Sequence, residues 1–95
     1  MEFKGTKGKW EVFKPNHIGC TNVSIGDNNG YVELWYHHFE SKQEAQANAQ
    51  LIASAPEMFE LLKMIHLSFG GGRVITFSDK DIEDIEQLLT KITTL

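Results

Sequence analysis

The hydrophobic period of the chain changes once, near residue 40, and that switch limits the folds open to it. Before it, side chains alternate. Trp10 and Val12 lie on one side of an extended segment, and Glu11 and Phe13 lie on the other. A second strand is expected through Val23 and Ile25, with Asn22 and Ser24 on its opposite face. The third and longest run, Tyr31 to Phe39, puts Val32, Leu34 and Tyr36 on one face and Tyr31, Glu33, Trp35 and His37 on the other. Between the second and third runs, Gly26-Asp27-Asn28-Asn29-Gly30 collects the residue types that favour tight reversal. These two strands therefore read as a hairpin, and the first joins them in an antiparallel meander. Residues 14–20 carry Pro15 and Gly19, which interrupt a ladder, so a loop or irregular edge is expected there.

After residue 40 the period becomes helical. Ser41 and Glu44 have capping-box spacing, and the alanines at 45, 47 and 49 favour helix. Pro56 suits the first turn of a helix and breaks an interior. The expectation is a helix over about 41–54 and another over about 56–67, or one kinked helix. Leu51, Ala55, Met58, Leu62 and Ile65 would line a single apolar stripe across the bend, widened by Ile52, Phe59 and Leu61. A Gly-rich loop spans 68–78, in which Val74 to Phe77 is a short apolar strand or packed loop. Ser78 and Asp81 repeat the capping pattern ahead of a last helix over 79–93, striped by Ile82, Ile85, Leu89 and Ile92 with Leu88 beside them. The fold class expected is α+β: a three-stranded antiparallel meander (1–40) followed by two or three helices packed on one face, forming one domain over 1–95.

Composition narrows the class further. Eight Gly, two Pro and one Cys among 95 residues exclude collagen-like, disordered and disulfide-rich chains. A lone cysteine cannot bridge within its chain, which favours a reducing compartment. No apolar run reaches the roughly 20 residues that span a bilayer, and MEFKGTKGKWEVFK lacks the apolar core of a secretion signal, so a cytoplasmic protein with no membrane partner is expected. Residues 1–42 balance acids and bases, and residues 43–95 carry the whole net charge of -4, which argues against a general nucleic-acid coat.

Few residues converge on chemistry. His37 and His38, as neighbours on a strand, would project to opposite faces and could not share a metal. His17-x-x-Cys20 offers two ligands, short of the three or four that zinc needs. Cys20 with His17, His37 or His38 and Asp27 matches no local signature of a nucleophile, so no catalytic residue, metal site or cofactor is assigned. Gly70-Gly71-Gly72-Arg73 follows a helix instead of opening one, which marks a helix exit and not a phosphate cradle. Arg73 is nonetheless the only arginine and the natural place for an anion. The aromatic third strand is the remaining candidate. Large rings occur on both its faces, while helices cover only one, so Tyr31, Trp35 and His37 are expected to meet a partner.

The segment Glu44-Ala45-Gln46-Ala47-Asn48-Ala49-Gln50-Leu51-Ile52-Ala53-Ser54-Ala55-Pro56-Glu57-Met58 resembles one found in many small proteins of bacteriophages and prophages, E-A-x-A-N-A-x-L-I-A-x-A-P-E followed by an apolar residue. The likeness is close over residues 44–58 and loose over 10–65. It implies phage or prophage origin and action inside a bacterial host, and it brings no activity with it. Small alanines that permit close packing account for most of the motif, with Asn48 the polar exception among them. The function expected is that of a non-enzymatic phage accessory protein that binds a host or phage protein or other macromolecule, with inhibition of a host defence system as one form of that binding. The alternative is a small-molecule binder that holds a nucleotide between protomers, using Tyr31, Trp35 and Arg73. A metal- or Cys/His-dependent hydrolase is the third option. A homodimer is expected, joined through the outer sheet face or the helical stripe.

Overall fold

The computed structural model describes residues 2–15, 18–27, 30–69 and 77–93. Three strands, β1 (Trp10–Phe13), β2 (Cys20–Ile25) and β3 (Tyr31–Trp35), form an antiparallel sheet in the order β1-β2-β3. Trp10 pairs with Ile25 and Phe13 with Asn22 on one side of β2; Cys20 pairs with Trp35 and Ser24 with Tyr31 on the other. The β2–β3 turn closes with the Ile25 amide donating to the Gly30 carbonyl at 2.9 Å. Gly26 takes a φ of +70°, and a Cβ there would lie 2.6 Å from the Lys7 carbonyl oxygen, so both backbone and space require glycine.

Two strand boundaries differ from the alternation. β2 begins at Cys20, which was expected in the preceding loop, and β3 stops at Trp35 instead of running to Phe39. One cause explains both. A strand persists only while a neighbour supplies hydrogen bonds, and β2 supplies them back to its own beginning. The Tyr36 amide still donates to the Gly19 carbonyl at 3.0 Å. Beyond that point the chain coils into a short 3-10 turn, Tyr36–His38. Tyr36 stays on the core side, its hydroxyl 2.7 Å from Thr21 Oγ1.

Three helices follow: α1 (Lys42–Ala53), α2 (Ala55–Phe69) and α3 (Asp79–Thr93). Ser41 caps α1, its Oγ accepting from the Glu44 amide at 3.0 Å. Ser78 and Asp81 form a reciprocal cap on α3, at 3.1 Å and 3.0 Å. The bend between α1 and α2 falls at Ser54. Pro56 has no amide to bond back into α1, and its ring crowds the carbonyl one turn earlier. Ser54 therefore closes α1 with its amide and its hydroxyl, both donating to the Gln50 carbonyl, at 3.1 and 2.9 Å. Its own carbonyl accepts from the Met58 amide at 3.0 Å and starts α2. The expected segment 74–77 lies outside the described residues apart from Phe77, which precedes α3.

The core is small. Val23 and Leu34 from the sheet meet Ala45, Ala49 and Ala53 from α1, with Trp10, Ile25, Tyr36, Phe39 and Ile52 around them. Alanines four residues apart form one side of a helix, and without longer side chains the α1 backbone comes close to the strands. This breaks the expected stripe at two positions, while Ala55, Met58 and Ile65 are half-buried as it required. Leu51 and Leu62 are exposed, because the close-packing side of α1 is its alanine side, and a helix turned to bury Ala49 turns Leu51 away. On α3, Ile82 and Leu89 are exposed, while Ile85, Leu88 and Ile92 are half-buried, so the inward stripe is rotated by about one residue from the expected one. α3 reaches α1 through the Gln50 side chain, which donates to the Lys91 carbonyl at 3.2 Å, and α2 through Lys91 Nζ, 2.9 Å from Glu57 Oε1.

Candidate functional site

α1 covers the side of the sheet that carries Val23 and Leu34. The opposite side carries Glu11 and Phe13 from β1, Cys20, Asn22 and Ser24 from β2, and Tyr31, Glu33 and Trp35 from β3, as the register requires. Among the described residues no helix lies there, yet Cys20 is 2% and Asn22 4% exposed. Large rings from the two edge strands account for this. Adjacent strands sit about 4.8 Å apart, so β1 and β3 are separated by nearly twice that. The Phe13 and Tyr31 ring centroids are nevertheless only 6.4 Å apart, meeting edge to face over β2. Trp35 pairs with Cys20 and packs over Gly19, where an added Cβ would lie 3.0 Å from the indole ring. The small and polar residues of the central strand are thus sheltered by an aromatic rim.

The polar groups beneath the rim are matched. Cys20 Sγ donates to Asn22 Oδ1 at 3.4 Å, and Trp35 Nε1 donates to Glu33 Oε2 at 2.7 Å. Burial pushes the Cys20 thiol above its ordinary value, and the nearby Glu33 carboxylate adds to that shift. A nucleophilic cysteine needs the opposite shift. At the edge, Lys9 Nζ lies 2.7 Å from Glu11 Oε1. That hydrogen bond, more than the charge attraction, raises the lysine and lowers the carboxylate. Both groups face solvent, where such a pair contributes little.

The rim stays open to solvent: Tyr31 is 54% and Phe13 39% exposed, with Trp35 half-buried. His37 extends it, its ring 6.2 Å from that of Trp35. The two histidines do not project to opposite faces. The 3-10 turn places their rings 4.2 Å apart, since residues there advance by a third of a turn and do not alternate. Among the described residues, no group of three or more His, Cys, Asp or Glu is placed to hold a metal ion.

Three of the expected binding residues, Tyr31, Trp35 and His37, therefore share one surface. Asn48 does not join them; it is half-buried on α1, beyond the other side of the sheet. Arg73 and His17 lie outside the described residues. The alternation had placed Phe13 opposite Trp10, but its contribution to the rim follows only from the pairing of β1 with β2.

A second concavity, of about 470 Å³, lies between the N-terminal segment and α2. Phe3, Trp10 and Phe59 supply its aromatic lining, with the Phe3 and Phe59 centroids 5.5 Å apart. Lys7 and Lys63 stand at it, offset by Glu2 and Glu60. Lys7 Nζ donates to the Phe3 carbonyl at 2.6 Å and lies 3.7 Å from Glu2 Oε1. Its charge is already engaged. Among the described residues, no helix is long and apolar enough to cross a membrane.

No curated protein and no solved structure matches the chain. Residues 1–91 match the family of Salmonella phage P22 protein Y8K6. That match runs from the N-terminal segment through the meander and α1 almost to the end of α3, and the chain belongs to this phage protein family.

Proposed function

We propose that this phage protein is a non-enzymatic accessory factor that binds a host or phage protein through the outer face of its sheet. The observation that carries the reading is the aromatic rim. Phe13, Tyr31 and Trp35 stand together on a face that no helix covers, with His37 beside them. Aromatic residues are the commonest energetic anchors of protein interfaces, because they offer large apolar area with few rotatable bonds. The rim is preformed: ring-on-ring contact and the Trp35–Glu33 hydrogen bond hold it in place, which lowers the entropy lost on binding. Inhibition of a host defence system is one form such binding would take.

The test is a photo-reactive benzophenone side chain at position 31, with crosslinking in host lysate. The expected result is a discrete protein adduct that the Phe13→Ala/Tyr31→Ala variant fails to bind. A folded protein that yields no adduct above background would remove the reading.

A small-molecule function has its own support, in a different place from the one the sequence suggested. The 470 Å³ concavity beside Phe3, Trp10 and Phe59 is of ligand size and lined by rings. Thermal shift against a nucleotide panel tests it: a nucleotide at about 100 times its Kd would add roughly 2.7 kcal/mol of stability. No shift with any nucleotide would discard this alternative.

A further inference from the structure

We propose that the cleft between α2 and α3 is a second docking site, one that takes a basic amphipathic helix of a partner protein. The cleft measures about 540 Å³, and among the described residues only these two helices line it. Lys91 Nζ of α3 meets Glu57 Oε1 of α2 at 2.9 Å, and the cleft continues from that pair to Met64 on α2 and Asp81 on α3. α2 thus runs away from the pair while α3 runs toward it, so the helices are antiparallel. The Gln50 side chain holds the same end, donating to the Lys91 carbonyl at 3.2 Å. A groove fixed in this way is partly ordered before a partner arrives, which lowers the cost of binding.

The two walls repeat one arrangement. Glu57-x-x-Glu60-Leu61-x-x-Met64 on α2 and Asp81-x-x-Asp84-Ile85-x-x-Leu88 on α3 share the order acid, acid, apolar, apolar, and every named residue lines the cleft. Residues three and four apart occupy one side of a helix. Because the helices are antiparallel, the pattern puts one pair of acids at each end of an apolar floor. Asp81 lies about 15 Å along α3 from Lys91, so the groove suits a helix of roughly three turns.

Local chemistry explains only part of this charge. The helix dipole favours Glu57 and Asp81 in the first turns, and Asp81 also accepts from the Ser78 amide. Lys91 offsets Glu57, and Lys80 stands 3.5 Å from Asp84 as an exposed pair, which contributes little. Glu60 lies beyond the first turn of α2 and, among the described residues, forms no ion pair. The lining as a whole sets four carboxylates against one lysine. Such walls repel a second copy of themselves and attract Lys and Arg. An amphipathic helix satisfies both parts of the groove. Its apolar stripe lies on Leu61, Met64, Ile85 and Leu88, while its long cationic side chains reach the acids at either end.

Fluorescence anisotropy with the full chain tests the site. The probe is a fluorescein-labelled peptide of Leu, Lys and Ala, about 16 residues long so that it can form a helix, with its leucines three and four apart. The expected result is saturable binding with a Kd below about 100 µM. Glu60→Lys/Asp84→Lys changes two exposed side chains outside the caps, so helical circular dichroism should be retained. It should raise that Kd at least about tenfold. A peptide of the same composition with its leucines scattered round the helix should also bind at least about tenfold more weakly, as should one with Glu in place of every Lys. Phe13→Ala/Tyr31→Ala should bind the probe as the parent does, which separates this site from the sheet face. Failure of the parent to bind overturns the proposal. Equal binding of either control peptide, or by the charge-reversed variant, overturns it too, as does loss of binding in Phe13→Ala/Tyr31→Ala. If the charge-reversed variant fails to fold, the two control peptides on the parent decide.

Discussion

The body formed by the sheet and α1 and the arm formed by α2 and α3 contain similar amounts of apolar side chain and use it in opposite ways. In the body, small residues do the packing. Ala45 and Ala49 are 0% and Ala53 3% exposed, against a fully buried Val23. In the arm, several large residues stay exposed beside half-buried ones such as Leu61, Ile85 and Leu88. Leu62, Leu67, Ile82 and Leu89 are all more than 45% exposed. Hydrophobicity alone therefore does not decide which helix is packed. Close approach does, and alanine permits it where leucine does not.

The largest effect should come from filling the close contact. Ala49→Leu inserts three carbons where α1 meets the sheet, and overpacking of that kind costs about 3 kcal/mol. In a domain of this size it should lower Tm by roughly 15 °C in a thermal melt. If the variant is no less stable, the body is not as tightly packed as the alanine contact requires.

The next test compares the exposed and buried sides directly. Val23→Ala removes buried carbons and should cost about 2 kcal/mol in urea unfolding. Leu51→Ala takes more carbon from the exposed side of α1 and should stay within about 0.5 kcal/mol. Equal losses would erase the distinction between the two sides. Ser41→Ala, which deletes the cap of α1, should cost about 1 kcal/mol by the same measurement.

The smallest effect concerns pH. The Cys20 thiol is raised by burial, so the folded state holds its proton more tightly than the unfolded state does. That contribution is fully present below the ordinary thiol value of 9.0 and is lost as pH rises above it toward the folded value. The parent protein should lose stability above pH 9 more steeply than Cys20→Ala does, as read by Tm across pH 8–10. Coincident profiles would show that the thiol is not sheltered by the aromatic rim.

How much was legible in advance follows the same line between local and non-local causes. The hairpin, the caps at Ser41 and Ser78 and the break near Pro56 depend on residues close together in the chain, and each stands where the residues put it. β3 was read too long, because alternation continues through His37 while the partner strand does not. The apolar stripe was assigned to Leu51 and Leu62 because a periodicity shows which residues share a side and does not show which side another element will meet. The candidate surface divides in the same way. Tyr31, Trp35 and His37 could be read from β3, whereas the participation of Phe13 and the burial of Cys20 and Asn22 depend on the pairing of all three strands.

The sequence by itself determined the α+β order of elements, the two capping motifs, the glycine at the hairpin turn and the alanine spacing that lets α1 lie close to the sheet. All of these follow from backbone sterics and hydrogen bonding over a few residues. The tertiary structure alone decided that the alanine side would be the buried one, that the rings of β1 and β3 would meet across β2, that the two histidines would end side by side, and that Leu62, Leu67, Ile82 and Leu89 would stay exposed. Those outcomes depend on which surfaces from distant parts of the chain come within van der Waals contact, and no local period encodes that.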